Sequence, residues 1–439
     1  MPIHQILISS LHQCRRLLAD LQVETLARRS GFLRRSPRKI PIQDFLLGLL
    51  ALSAEPLLSL ERLAAVIGLA AGASYSKQAL AKRLRPQVER FLAQVAVARL
   101  AQWAQPLTAR GCWSHFQRVL LQDSTVVPLP DRLAQDFPGS RNQHHQKKAA
   151  ALKIQWIADL LQGTLASCSL SGFRRNDQAA SPDILAFLRR GDLVLRDLGY
   201  FCLGVFAQIA DLGAFFISRF RHGTNLYDPK TGQPLHLARV LRQQGRFDGR
   251  VLAGEQKLPF RLVALPVPEE TANLRRHRAK TNRDQRSPAS AEHLFLLGWN
   301  IFLTNVPRAV WPAKVIAQVY RLRWRIEMMF KSWKSYLGLA QLNGRNANLL
   351  RLTVMTKLLF CALTCRCCDA LETFCAPSGR HVSLLRLARV LSQYSVCLAA
   401  AILGLSVQTL LEFSLNRHIF YEQRLDRSNF YQLRTAALG

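Results

Sequence analysis

Two short stretches of this chain are apolar on both faces, and each holds a single acid: RVLLQDSTVVPLP with Asp123 and LVLRDLGYF with Asp197. A strand that does not alternate apolar with polar residues has both faces covered, as central strands do between layers of helices. A carboxylate inside such a strand is costly unless it is paired or bound to a metal. The two stretches therefore predict an α/β chain in which both acids have a task.

The rest of the chain builds around them. AAALKIQWIADLLQGTLASCSLS predicts two strands about a Gln-Gly turn, SPDILAFLRRGD predicts a helix opened by Ser-Pro, and AFFISRFRHG from Ala214 predicts a strand with cations on one face. From about Leu226 to Pro288 the alternation of helix and strand lapses. NLYDPKTGQPLH, RFDGRVLAG and LPFRLVALPVP read as short strands with turns, and NLRRHRAKTNRDQR as an exposed basic loop. EHLFLLGWNIFLTNVP returns to a strand. WPAKVIAQVYRLRWRIEMMFKSWKSYL then reads as one helix, with Pro312 near its start. The segment up to about Leu107 and everything beyond NANLLRLTVMTKLLF read as helical. The expected division is a helical region over 1–110, an α/β region over 111–350 whose stretch at about 220–300 is mostly β, and a helical region over 351–439.

Charge narrows the function. The sequence holds 60 Lys plus Arg against 28 Asp plus Glu, a formal +32 spread over its whole length. Such an excess repels itself, and a polyanion offsets it most simply, so nucleic acid is the expected partner, ahead of acidic lipid or an unremarkable basic surface. No apolar run is long enough to span a bilayer, and MPIHQILISSLHQCRR lacks the pattern of a secretory signal. A cytoplasmic protein is expected. Ten cysteines fall without a disulfide rhythm; Cys361, Cys365 and Cys368 share a helical face but have no paired C-x2-C element, so buried reduced thiols are favoured over zinc.

Near the N-terminus, Ser76-Lys77-Gln78 opens a basic amphipathic run that continues to Leu100, after a short helix and a Gly-Ala turn. The order fits a helix-turn-helix in which Lys77, Gln78, Lys82 and Arg83 touch DNA, and it fits a plain helical bundle nearly as well. Upstream, RRSGFLRRSPRK from Arg28 is either a solvated linker or a phosphate-touching arm.

The chemistry concentrates in YRLRWRIEMMFKSWKSYLGL. On a continuous α-helix Tyr320, Arg323, Glu327 and Lys334 fall within one stripe roughly 60° wide. Asp123, Asp197 and Glu327, from two strands and a helix, could converge on Mg2+, which prefers oxygen ligands and few carboxylates. Two such ions about 3.5–4 Å apart activate a water or a 3′-hydroxyl and stabilise the departing oxygen of a phosphodiester. Taken singly, each acid also has a structural reading: Asp123 capping a turn, Asp197 pairing with neighbours of Arg196, Glu327 bridging Arg323.

The unbroken pattern Y-x2-R-x3-E-x6-K, with QDST around Asp123, RDLGYF around Asp197 and FLTNVP before the signature helix, resembles bacterial insertion-sequence transposases of the DDE class, IS4-type. The resemblance is strong over about Arg118 to Leu342 and loose elsewhere. It implies an RNase H-like catalytic core, a mixed sheet with flanking helices, interrupted by a mostly β insertion between the last two acids. Asp123, Asp197 and Glu327 are then the catalytic, metal-binding acids for two Mg2+ ions, with Mn2+ able to substitute. Tyr320, Arg323 and Lys334 are expected to position the terminal phosphate of a DNA end. Trp299 resembles a residue that stacks on a flipped base in hairpin-forming relatives, although a core position in LGWNIFL fits it too; Trp324 is expected to assist, and Arg219 and Arg221 resemble backbone contacts near the site. The implied partners are double-stranded DNA, as element ends and target, and a second copy of the chain; the implied setting is the bacterial nucleoid. Two other readings remain: an RNase H-like nuclease that cuts without joining, and a decayed DNA-binding regulator. A tyrosine recombinase is disfavoured, because the Arg-His constellation around such a nucleophile is missing.

Overall fold

The computed structural model describes residues 22–34, 40–53, 58–71, 73–103, 111–139, 149–162, 164–281, 289–336, 338–342 and 346–394, with isolated positions among the first 21 residues, at 344, 398–399 and 402–403, and at 421–422. The described chain falls into two compact units. One is built from Met1–Leu107, Ser124–Arg175 and Trp324–Tyr431, the other from Thr108–Asp123 and Asn176–Arg323.

In chain order the elements are α1 (Gln22–Arg29), α2 (Ile42–Ala51), α3 (Leu60–Ala71), α4 (Lys77–Ala81), α5 (Gln87–Trp103), β1 (Val119–Leu129), β2 (Ala150–Asp159), β3 (Thr164–Gly172), β4 (Leu193–Arg196), α6 (Leu203–Asp211), β5 (Phe215–Arg219) and β6 (Leu226–Tyr227). There follow α7 (Leu237–Gln244), β7 (Phe247–Ala253), β8 (Leu258–Pro266), α8 (Glu269–Thr281), α9 (Ala291–Leu296), β9 (Trp299–Thr304), α10 (Ala313–Tyr320), α11 (Trp324–Tyr336), α12 (Ala347–Cys375), β10 (His381–Val382), α13 (Leu384–Gln393) and β11 (Tyr421–Glu422). The strand order is β3-β2-β1-β4-β5-β9-β8-β7-β6. The pairs β1–β4 and β4–β5 are parallel, while β2–β3, β5–β9, β9–β8, β8–β7 and β7–β6 are antiparallel, so the sheet is mixed. The fold is α/β with helices flanking this mixed sheet, as the two apolar, acid-bearing strands predict.

In the unit that carries β4 to β9, Leu193, Val194, Leu195 and Arg196 are all buried, which accounts for the unalternating sequence. Aromatic packing fills the space beside them. Phe116 lies 4.5 Å from Trp311 and 5.3 Å from Phe215, and Phe206 stacks on Phe216 at 4.3 Å. Each such buried ring contributes about 1.5–3 kcal/mol by area removed from water. Two cations here are paired with acids: Arg118 grips Asp192 at 2.5 and 3.1 Å, and Arg261 grips Asp248 at 2.7 and 3.0 Å while donating to the carbonyls of Val306 and Trp311.

In the other unit Phe32 stacks between Phe45 and Phe91, and Trp156 meets Trp333 edge-on at 4.9 Å. Glu89 of α5 ties this unit together: one oxygen accepts from Leu170 N of β3 at 3.1 Å, and the other pairs with Arg351 of α12 at 2.6 Å. Of the three clustered cysteines of α12, Cys361 and Cys368 are buried as expected while Cys365 is half-buried; Cys367 and Cys375 of the same helix are buried too.

Several local expectations are corrected. The amphipathic run from Ser76 is two helices, because Pro86 has no N–H to donate and disfavours helical backbone at Arg85. The run NLRRHRAKT, expected as a loop, lies in α8. It has no apolar stripe to read, and only Ala272 is buried; acids in its first turn and cations in its last suit the helix dipole. The stretch from about 220 to 300 also holds α7 and α9 between its strands, so it is a mixed α/β segment. In α9 Ser290 caps the helix by accepting from His293 N at 3.1 Å. The Ser-Pro segment is a 3-10 turn, Ser181–Phe187. Within the C-terminal region expected to be helical, Tyr421–Glu422 is a strand paired with β10. Residues 35–39 of the basic arm, 282–288 of the basic run, and 404–420 and 423–439 lie outside the described residues.

Candidate active site

The register of two parallel strands brings the predicted acids together. Leu121 faces Leu195 and Gln122 faces Arg196 across β1 and β4, so the next position on each strand is an aspartate, Asp123 beside Asp197. Successive side chains alternate in direction, which sends Gln122 and Arg196 to one face and the two aspartates to the other. Asp197 stands just past the carboxyl end of β4, where open α/β sheets form their crevices.

Arg323 bridges them. Its Nη1 lies 3.2 Å from Asp123 Oδ2 and its Nη2 lies 3.7 Å from Asp197 Oδ1. The side chains of Arg323 and Asp123 are each 14 % exposed and that of Asp197 is 39 % exposed, so the acids are reachable from solvent. Tyr320 is buried. Its hydroxyl donates to the carbonyl of Arg196 at 3.1 Å, and its ring lies 5.0 Å from Phe302 with the Arg323 guanidinium 5.9 Å above it. Burial, the largest influence, pushes the Tyr320 phenol well above its ordinary value; Arg323 pulls it the other way. Tyr320 therefore braces the strand end that carries Asp197.

The predicted single helix is broken here. Arg321–Arg323 form a 3-10 turn between α10 and α11. With three residues per turn in place of 3.6, each step there turns about 20° more, shifting the phase by roughly 60° across the turn. That is as much as the whole predicted stripe, so one straight helix does not carry Tyr320, Arg323, Glu327 and Lys334. In the unit that contains α11, Glu327 and Lys334 are half-buried, and burial pulls the Lys334 ammonium below its usual value. Trp324 opens α11 and is 61 % exposed.

The remaining candidates stand as follows. Arg219, the last residue of β5, and Arg221, two positions on, are exposed. Trp299 is half-buried at the start of β9, 6.0 Å from Phe295, and its carbonyl accepts from Arg275 at 3.2 Å. Burial, and secondarily Arg219, lowers the pKa of Arg275. Lys77 and Lys82 are exposed, and Ser76 caps α4 by accepting from Ala79 N at 3.3 Å. Arg83 turns inward: it donates to the carbonyl of Ile40 and lies 5.3 Å over the Phe45 ring, and burial lowers its pKa.

The residues missed from sequence are those behind the aspartates. Arg196 is fully buried. Its Nη2 donates to Gln122 Oε1 and to the carbonyl of Ser181, both at 2.6 Å, and Gln122 Nε2 donates to the carbonyl of Ala180 at 2.9 Å. Burial pulls the Arg196 guanidinium down to about 10. A cation as the last residue of a buried strand, directly before the acid, was the available signal.

The donor chemistry at Asp123 and Asp197 suits a hard divalent cation: two reachable carboxylates already share one positive group. Among the described residues no group of three or more His, Cys, Asp or Glu is arranged to hold a metal ion.

Residues 114–365 match the family model described as the transposase DDE domain. The chain is 28 % identical over 349 residues to the transposase for insertion sequence element IS231B of Bacillus thuringiensis subsp. berliner, covering 73 % of this chain and 71 % of that protein. It is 24 % identical over 344 residues to the transposase for IS1151 of Clostridium perfringens, covering 73 % and 72 %. Among solved structures, the piggyBac transposase synaptic complex with hairpin DNA superposes with a TM-score of 0.43 at 10 % identity, over 95 % of this chain and 87 % of that one. With the family model spanning more than half of the sequence, the chain belongs to the transposase DDE domain family.

Proposed function

We propose that this transposase recognises the terminal inverted repeats of its own insertion element, cleaves them and joins the freed 3′ ends to target DNA, with Asp123, Asp197 and Glu327 as its catalytic acids. The observation that carries the reading is that Asp123 and Asp197, each one residue past the last registered β1–β4 pair, share the Arg323 guanidinium. Both chemical steps are phosphoryl transfers at one site, first to water and then to a 3′-hydroxyl. Divalent cations, Mg2+ with Mn2+ as substitute and two per site, would supply Lewis acidity and an activated nucleophile. Asp123, Asp197 and Glu327 would hold them. Arg323, able to pair with a carboxylate or a phosphate, passes from the aspartates to the DNA end on binding. Lys334 neutralises the strand beside it, and Tyr320 keeps the Asp197 turn in place.

Exposed Lys77, Lys82, Arg219 and Arg221 contribute phosphate contacts, Trp299 and Trp324 offer aromatic faces to an unstacked base, and the 1–110 region recognises the ends. Region 351–439 helps two copies pair on two ends, and the overall charge keeps the protein on the nucleoid.

The test uses the DNA flanking the gene. Incubated with the full chain and Mg2+, it should give 3′ ends and joined products. Asp123→Ala, Asp197→Ala and Glu327→Gln should abolish both while sparing end binding. Cleavage retained by one variant would remove that residue from the set. Cleavage without joining would leave a nuclease, and binding without cleavage a regulator.

A further inference from the structure

Behind the two aspartates lies an arrangement that stability alone does not require. Arg196 is 0 % exposed and Gln122 1 %. Its Nη2 makes the two 2.6 Å bonds described above, while its Nε and Nη1 atoms have no hydrogen-bond partner. The rings of Tyr200 and Phe206, 5.5 and 5.8 Å from the guanidinium, offer it only their faces. A leucine in this strand would spare the desolvation of a charge.

The place of this pair in the ladder gives it a use. β4 has only four residues, and Arg196 is the last of them in register with β1. Past that point, among the described residues, no ladder contact holds Asp197. Arg196 is instead fastened twice: by its side chain to Gln122, the residue before Asp123, and by its carbonyl to the Tyr320 hydroxyl. Beside the ladder pairing of the same two residues, one side-chain bond thus joins positions 74 apart in sequence directly behind the two carboxylates.

We infer that the buried Gln122–Arg196 pair is a positioning clamp, which fixes the separation at which Asp123 and Asp197 present their carboxylates to a divalent cation. This rests on the reading of those aspartates as metal-holding acids. Neither Gln122 nor Arg196 touches the reacting atoms in this role; both act through the residue that follows them.

The test is Mn2+ binding to the DNA-free full chain by titration calorimetry, read beside the thermal melting temperature and the single-turnover cleavage rate. Asp123→Ala and Asp197→Ala come first. If they bind Mn2+ as wild type does, the assignment of the metal site falls, whatever the clamp does. If they lose it, Gln122→Met and Arg196→Met are expected to weaken Mn2+ affinity about 10–100-fold, the usual cost of loosening what orients a ligand. Their affinity for end DNA should be unchanged.

The double variant Gln122→Met with Arg196→Met separates positioning from packing. Replacing both partners by apolar groups removes the buried charge together with its acceptor, so the melting temperature should recover. Mn2+ affinity should not. A double variant that binds Mn2+ as tightly as wild type would overturn the clamp, as would a folded Gln122→Met with wild-type affinity. Should Arg196→Met alone fail to fold, these two variants decide the matter.

Discussion

Arg323 donates from Nη1 to Asp123 Oδ2 at 3.2 Å, joining residues that stand 200 positions apart in the chain. Its other terminal nitrogen is 3.7 Å from Asp197. One guanidinium thus balances the repulsion of two neighbouring acids, and a cation at the same carboxylates would take over that task.

Arg323→Gln is therefore expected to lower the stability of the metal-free protein by about 1–2 kcal/mol, in the range for hydrogen bonds to charged groups at partly exposed sites. Added Mn2+ should raise the melting temperature of the variant more than that of wild type. Equal metal-induced shifts would show that the bridge and the metal do not share the two carboxylates.

Tyr320→Phe removes the bond to the Arg196 carbonyl and keeps the ring, at an expected cost of about 1 kcal/mol. It should also change the alkaline limb of stability. The folded-state pKa of Tyr320 is raised, so its contribution is fully present below the unfolded value of about 10 and is lost as pH rises above it. In denaturant melts between about pH 9 and about pH 11, either side of the ordinary tyrosine value, stability should fall less steeply in the variant than in wild type. Parallel curves would count against a buried, neutral phenol.

The two kinds of cation around α4 predict opposite outcomes. Lys77→Ala and Lys82→Ala, at exposed positions, should reduce the slope of log affinity against log salt for end DNA by about 1 each with little change in melting temperature. Arg83→Ala should leave that slope alone and destabilise the fold, because its guanidinium serves the Ile40 carbonyl and packs on Phe45. A reduced salt slope in Arg83→Ala would return it to the DNA-facing set.

Glu89→Ala cuts both the Leu170 amide bond and the Arg351 pair, 81 and 262 positions away in sequence. The expected loss is about 2–3 kcal/mol in urea denaturation. Glu89→Gln, which can still accept from the amide, should lose about half of that on the same scale.

Much of this protein was legible before folding was considered. β1 and β4 announce themselves because strands buried on both faces are mostly apolar, and Asp123 in the one and Asp197 just past the other stand out as acids. The excess of 32 positive charges likewise points to a polyanion without any coordinates. Where the signal failed, the reason was local. α8 has no apolar stripe because it buries a single alanine, and periodicity has nothing to register in such a helix.

The single helix expected through Tyr320, Arg323, Glu327 and Lys334 failed for a different reason. Helical phase is additive only while the hydrogen-bond pattern is constant, and three residues of 3-10 geometry at Arg321–Arg323 reset it. No spacing rule on the chain foresees that turn.

The sequence by itself determined which residue types are available for chemistry and which strands must be buried, because both follow from composition and period within a few neighbouring positions. Which side chains meet was decided by the tertiary structure. The register of β1 on β4 set Asp123 beside Asp197 and Gln122 behind them against Arg196, while Arg83 and Tyr320 turned inward to serve carbonyls that only the folded chain brings within reach. Hydrogen bonds and ion pairs act over a few ångströms, and that proximity exists only once the backbone has closed loops of tens to hundreds of residues.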